Sequence, residues 1–319
     1  MGGRFQILSL DGGGIKGIFS AAVLAAIEDD LGTTIVNHFD LVVGTSTGGI
    51  IALSLGIGMS PREIVEFYVQ EGPKIFPQSF RTSGRLFTRK YGSEPLASAL
   101  KACFGERRLA DSQKRLAIPS YNLDADEVYI FKTAHHTRFQ RDYKVPMWKI
   151  ALATSSAPTY FGVCREVDSI RLIDGGVWAN NPVVVGIVEA IGILQQPVES
   201  LRAFSLSTTS PIQKKPESLS NGGFWQWRKA AVDVILRGQS VGAHGQASLL
   251  LDKDRYLRCD PLVHDELFAL DKLTAEGLLS NAAHTSRHLT PEFKRMFSAH
   301  MASPFVPCHT ITPVSGEVK

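Results

Sequence analysis

Cysteine is scarce in this chain. The four present (Cys103, Cys164, Cys259 and Cys308) are scattered, with no Cys-x-x-Cys spacing. That argues against a zinc site or a disulfide framework and suits a reducing compartment. An excess of one charge is lacking too. A net charge of +3 over 319 residues is too weak to imply a nucleic-acid polymer as partner. Long apolar runs are absent: the most apolar stretch, near Ile50 to Met59, falls short of the ~18 residues a membrane span needs. No secretory leader is recognisable, because a strand is expected directly after Met1-Gly2-Gly3-Arg4. Gln6 stands where an N-myristoylation pattern needs Ser or Thr, and there is no Asn-x-Ser/Thr site. Internal repeats and low-complexity tracts are also missing. The expectation is a cytoplasmic protein able to touch a membrane surface from one side. At 44% hydrophobic and 20% charged residues, the chain is long enough for one large domain or two small ones.

What is present in quantity is glycine at strand ends. Leu41-Val42-Val43 reads as a buried strand, followed by Gly44-Thr45-Ser46-Thr47-Gly48 and an apolar helix from Ile50 to Leu55. Gly44-x-Ser46-x-Gly48 matches the nucleophile elbow, in which a serine tops a strained strand-to-helix turn. Its neighbours two residues away must lack Cβ so that strand and helix can approach. The helix N-terminus supplies N–H groups and the positive end of a dipole.

The same strand–glycine–helix order occurs about thirty residues earlier. Phe5 to Leu10 is a strand, Asp11-Gly12-Gly13-Gly14-Ile15-Lys16-Gly17 a glycine-rich loop, and a helix follows through Phe19, Val23 and Ile27. Successive glycines at a helix start expose N–H groups in a nest suited to an anion. Gly12, Gly14 and Gly17 fit a dinucleotide fingerprint, but no acidic residue ends the second strand; Asp40 precedes it and Ser46 occupies its turn. A phosphate P-loop fails because no Gly-Lys-Ser/Thr follows. The better use of the nest is an oxyanion hole beside a nucleophile.

Further along, Ser60 and Pro61 open a helix to Val69. Lys74 to Lys101 then carries six basic residues (Lys74, Arg81, Arg85, Arg89, Lys90, Lys101) interleaved with Phe76, Phe80, Phe87 and Tyr91, against the single acid Glu94. This segment reads either as a solvated face or as a cationic-aromatic flap for an anionic surface or ligand. Strands are expected at Leu116 to Pro119 and Glu127 to Phe131, and His135-His136 reads as a polar loop. A helix is expected from Trp148 to Ser155. Arg171 to Asp174 is a strand ending in Asp174-Gly175-Gly176, which alone would pass as an ordinary turn. Asn180-Asn181-Pro182 opens a helix to Leu194, and Arg202 to Ser207 is a strand. Residues 208 to 223 read as a loop. Phe224 to Arg237 is an amphipathic helix, and Tyr256 to Cys259 another strand. The remainder is helical to about Met301, with a loose Pro-rich tail.

The three glycine motifs stand in a fixed order: Asp11 to Gly17, Gly44 to Gly48, and Asp174 to Gly176. Together with Ala153 to Phe161 they resemble the patatin-like phospholipase family, over roughly Phe5 to Ser207. The resemblance implies an α/β fold of three α/β/α layers, with a mainly parallel central sheet and a mostly helical C-terminal region. It divides the chain into a catalytic domain, 1–207, and a helical extension, 208–319, packed on it. It also implies a Ser46 nucleophile, an Asp174 base, an oxyanion hole from Gly12, Gly13 and Gly14, and a bracing Lys16. Asp11, Gly17, Gly44, Gly48, Gly175 and Gly176 support the motifs. The implied reaction is acyl-ester hydrolysis of phospholipid at a membrane surface, without metal or cofactor. The lead Phe5 to Phe19 is similar to bacterial members that cyclic dinucleotides switch on in anti-phage defence, acting against the inner membrane. That implies a cyclic-dinucleotide activator; a homo-oligomer is left open. Two alternatives stand. One is a Ser-Asp-His triad completed by His264, His284 or His288. The other is a catalytically silent module that binds lipid or nucleotide.

Overall fold

The computed structural model describes residues 3–76, 91–211, 217–263 and 275–311. In chain order its elements are β1 (Phe5–Leu10), α1 (Gly17–Leu31), β2 (Leu41–Gly44), α2 (Thr47–Gly56), α3 (Pro61–Ile75), α4 (Ser93–Phe104), β3 (Arg115–Asn122), β4 (Glu127–Lys132) and α5 (Met147–Thr154). Then come β5 (Leu172–Asp174), α6 (Gly176–Ala179), α7 (Val183–Gly192), β6 (Leu201–Leu206), β7 (Ser210–Pro211), α8 (Phe224–Leu251), β8 (Tyr256–Cys259), β9 (Leu262–Val263) and α9 (Ala275–Met296). The strands form a sheet in the order β4-β3-β2-β1-β6-β8, with β5 also pairing β3. From β3 to β8 all neighbours run parallel, while β4 and β5 lie antiparallel to β3.

The central strands are mostly apolar because both faces are buried, with Gln6, Ser9 and Ser205 as buried polar exceptions. Leu8, Leu10, Val42, Phe204 and Leu206 join one core with α1, α2 and α9. Phe5, Ile7, Leu41, Val43, Leu201 and Ala203 join a second core with α7 and the end of α8. Helices on both faces give the three layers.

A break in the sheet positions the site. On one side of β3, Arg115 to Ala117 pair with β2, and Ser120 to Asn122 pair with β5. The other side is taken by β4. So β5 occupies the lane that β2 leaves at Gly44, and runs against it. The two strands meet nearly end to end, one leading into Ser46 and the other finishing on Asp174. In a parallel α/β sheet, this C-terminal edge is where ligands bind.

The region from 208 onward adds more than helices. β8 extends the central sheet beside β6, and α9 packs on α1. The amphipathic helix expected to Arg237 runs on to Leu251. The tail is not loose as far as His309. Ala302 N–H donates to Asn37 O at 2.8 Å, Cys308 N–H donates to Ala134 O at 2.7 Å, and the Arg115 guanidinium stacks on Phe305. His300 pairs with the buried Asp40 at 2.8 Å, which explains the anchorage.

Candidate active site

Ser46 stands at the N-cap of α2 with φ 56° and ψ −123°. A non-glycine residue holds such angles only where its surroundings over-determine them. The flanking glycines permit it by close approach. A Cβ on Gly44 would lie 2.1 Å from Gly48 O, and one on Gly48 would lie 2.2 Å from Leu10 O. The Ser46 N–H donates to Thr154 Oγ1 at 3.0 Å. Thr45 Oγ1 donates to Ala179 O at 2.6 Å, tying the elbow to the segment after Asp174. Thr47 is gripped by Tyr68 of α3, whose hydroxyl donates to Thr47 O at 3.2 Å.

Asp174 is 5% exposed, and the Ser46 side chain stands close enough to act on its carboxyl group. Gly176 N–H donates to Asp174 Oδ1 at 2.7 Å and fixes the carboxylate plane. Burial pushes the Asp174 carboxyl up to about 6, against the opposing pull of the Ser46 side chain and the Gly176 N–H. At neutral pH it is therefore ionised, yet far more basic than an aspartate in water. Gly175 packs its Cα against β3, since a Cβ there would lie 2.4 Å from Pro119 O.

The glycine loop lies over this pair. A Cβ on Gly12 would come 3.3 Å from Ser46 Cβ. Of the three amides expected to form an oxyanion hole, that of Gly12 is already taken, since its N–H donates to Asn180 O at 3.0 Å. Among the described residues, no acceptor takes the N–H of Gly13 or Gly14. Gly14 has φ 60°, the left-handed region glycine enters without strain. The loop is clamped by the chain after β6. Thr208 Oγ1 donates to Gly12 O at 3.1 Å, and Lys16 Nζ donates to Thr209 O at 3.4 Å. Gly17 is needed because a Cβ there would meet Thr47 Oγ1 at 2.2 Å.

Asp11 holds the loop from below. It is 2% exposed and takes a two-pronged hydrogen bond from Arg258, at 2.8 and 2.6 Å. Arg258 also donates to Ser205 Oγ at 2.7 Å. Burial pushes Asp11 up to about 6 even against this guanidinium. Sequence reading missed Arg258, and its one signal was an arginine inside the short strand Tyr256–Cys259. It missed Thr154 as well, inside a stretch read only as a helix end.

The other expectations divide. His284 and His288 sit on α9 with their rings 5.5 Å apart. Among the described residues no histidine is hydrogen-bonded to Ser46 or Asp174, and His264 lies outside the described residues. His135 lies in a loop, as expected, but is buried there, and its ring bonds Thr133 Oγ1 at 2.8 Å and Glu189 Oε1 at 2.9 Å. Of the cationic-aromatic segment, Phe80, Arg81, Arg85, Phe87, Arg89 and Lys90 lie outside the described residues. Its Phe76 and Tyr91 join Tyr160 and Phe161 in an aromatic cluster. Among the described residues, no group of three or more His, Cys, Asp or Glu is placed to hold a metal ion. No described helix is long and apolar enough to cross a membrane.

Residues 8–187 match the family model described as patatin-like phospholipase. The chain belongs to the patatin-like phospholipase family. Family membership makes it a hydrolase of phospholipid ester bonds. It is 32% identical over 313 residues to a cGAMP-activated phospholipase of Pseudomonas aeruginosa, covering 93% of each chain. It is 38% identical over 328 residues to a protein of the same name in Vibrio cholerae, covering 91% of each. Patatin-like protein 4 of Arabidopsis thaliana is 29% identical over 323 residues, covering 86% of this chain and 80% of that one. Among solved structures, VipD of Legionella pneumophila superposes with a TM-score of 0.52 at 12% identity, over 90% of this chain and 67% of that one. That likeness concerns the patatin fold alone.

Proposed function

We propose that this patatin-like phospholipase cleaves acyl esters of membrane phospholipids with a Ser46/Asp174 dyad. The observation that carries the reading is the Ser46 side chain, held at a strained elbow beside a buried carboxylate whose affinity for protons is raised into the working range. Ser46 Oγ attacks the ester carbonyl as its proton passes to Asp174. Negative charge develops on the carbonyl oxygen, where the amides of Gly13 and Gly14 are the available donors. Asp174 then gives the proton to the departing lysophospholipid alkoxide and leaves an acyl-Ser46 ester. Water, deprotonated by Asp174, attacks that ester; the proton passes on to the departing Ser46 Oγ, and the fatty acid is released. The enzyme works at the membrane surface as a peripheral visitor.

We further propose that a cyclic dinucleotide switches this activity on. Support comes from the two bacterial relatives whose names state activation by cGAMP and whose similarity runs almost end to end. The experiment incubates wild type and Ser46→Ala with phospholipid vesicles, with and without a panel of cyclic dinucleotides, and follows fatty acid by mass spectrometry. Release only by wild type, and only with one of the panel, is expected. Release by Ser46→Ala refutes the dyad. Full wild-type activity without any nucleotide removes the switch and leaves the lipase.

A further inference from the structure

We propose that Thr154 is a positioning residue for the dyad: its hydroxyl is spliced into the broken sheet between β2 and β5 and sets Ser46 against Asp174. The inference rests on the Ser46/Asp174 reading and extends it to a residue outside the three glycine motifs.

The break has a definite register. Ala117 is the last residue of β3 paired with β2, and Ser120 is the first paired with β5. Pro119 lies in the gap between them. In an unbroken ladder its carbonyl would take an N–H from the neighbouring strand. Here it takes the Thr154 hydroxyl at 2.6 Å, and Thr154 Oγ1 in turn accepts the Ser46 N–H at 3.0 Å. One hydroxyl is both donor and acceptor, so it bridges a spacing that a direct backbone bond would close. Thr154 is wholly buried, so water does not reach the link to substitute for it.

The same helix end also holds the other partner. Asp174 N–H donates to Ser156 O at 3.1 Å, two residues beyond Thr154. Ser156 is itself locked, its hydroxyl donating to Leu152 O at 2.8 Å. One short stretch, 154 to 156, therefore grips the backbone of both Ser46 and Asp174 and fixes their separation. The strained angles of Ser46 need such determinants, and its N–H is one handle by which they are imposed. The threonine methyl has a part as well. A Cβ on Gly49 would lie 2.9 Å from Thr154 Cγ2, so α2 already rests against it.

Loss of the hydroxyl leaves the Ser46 amide and the Pro119 carbonyl unpaired in the interior. Ser46 then relaxes, and Oγ leaves the line to Asp174. Such a misplacement acts on the chemical step, and a shift of ~1 Å costs about 100-fold.

The test compares Thr154→Val, Thr154→Ser and Thr154→Ala with wild type, cGAMP being present throughout. Two readouts are taken: kcat and KM on p-nitrophenyl butyrate, and the rate at which a small alkyl fluorophosphonate labels Ser46, mapped by mass spectrometry. Thr154→Val is expected to lower kcat about 100-fold with KM within about threefold, and to slow labelling in parallel. Thr154→Ser keeps the hydroxyl and should stay within about fivefold of wild type. Thr154→Val within about threefold of wild type overturns the proposal. So does Thr154→Ser as impaired as Thr154→Ala, a comparison that still decides if the valine variant does not fold. If wild type is not labelled at Ser46, the dyad itself fails; if it is labelled and the variants match it, only the role of Thr154 falls.

Discussion

Acid should silence this enzyme at a pH where an ordinary aspartate would still be ionised. In the proposed dyad Asp174 must be a carboxylate to take the Ser46 proton, and burial raises it to about 6. With one such group, kcat/KM is half its plateau near that pH and falls tenfold for each further unit. At about pH 5 some tenth of the activity remains, whereas an aspartate at the water value of ~3.9 would retain most of it. The assay is kcat/KM against pH on a soluble ester, with folding followed in parallel by circular dichroism. A limb centred near 4, in folded protein, refutes the argument from burial.

The same shift fixes the sign of a stability effect. A carboxyl whose folded pKa lies above its unfolded one binds protons more tightly in the folded state. Its ionised form therefore costs stability, fully above about pH 6, and the cost is relieved as pH falls towards 3.8. A rise of roughly two units corresponds to at most about 3 kcal/mol. Asp174→Asn removes that cost while keeping an acceptor for Gly176 N–H. The variant should be inactive yet melt several degrees above wild type at about pH 8. Its advantage should shrink through pH 6 and vanish below about pH 4. An active variant refutes the base; a variant no more stable at pH 8 refutes the electrostatic account.

Why some of this was legible in the sequence and some not has a physical answer. Gly44 and Gly48 announce themselves because any Cβ there strikes backbone oxygen, so the motif records a steric demand local to the turn. The central strands are legible because burial on both faces leaves them mostly apolar. The meeting of β2 and β5 is not local: three residues ending in Asp174 pair antiparallel to a strand that also serves β2, and nothing in their composition sets that direction. Arg258 reaches Asp11 across 247 residues, a pairing no spacing rule reaches. Gly12 shows the converse failure. Its place in the motif is right, but its N–H is claimed by Asn180, a neighbour only the folded chain supplies.

The remaining predictions concern what holds the site together. Gly48→Ala places a methyl into Leu10 O and should cost more than about 3 kcal/mol, seen as a loss of folded protein or a steep drop in Tm; a melting point within a degree or two of wild type refutes the steric reading. His300→Ala should free the tail from Asp40 and raise amide hydrogen exchange at Ala302 and Cys308 without lowering kcat. Arg258→Met should be the most damaging of these, because it strands a carboxylate in the interior. Breaking one side of a buried pair costs about 3–5 kcal/mol, while replacing both sides with apolar groups is often near neutral. The double variant Asp11→Leu/Arg258→Met should therefore regain much of the stability that the single variant loses. Arg258→Lys should not, since an ammonium cannot reproduce the two-pronged bond. Without the guanidinium, the folded pKa of Asp11 rises further, so the deficit of Arg258→Met should be greatest at alkaline pH and ease as the carboxyl takes a proton. A deficit independent of pH, or a double variant no better than the single one, would mean that Arg258 acts by filling space rather than by holding the charge beneath the glycine loop.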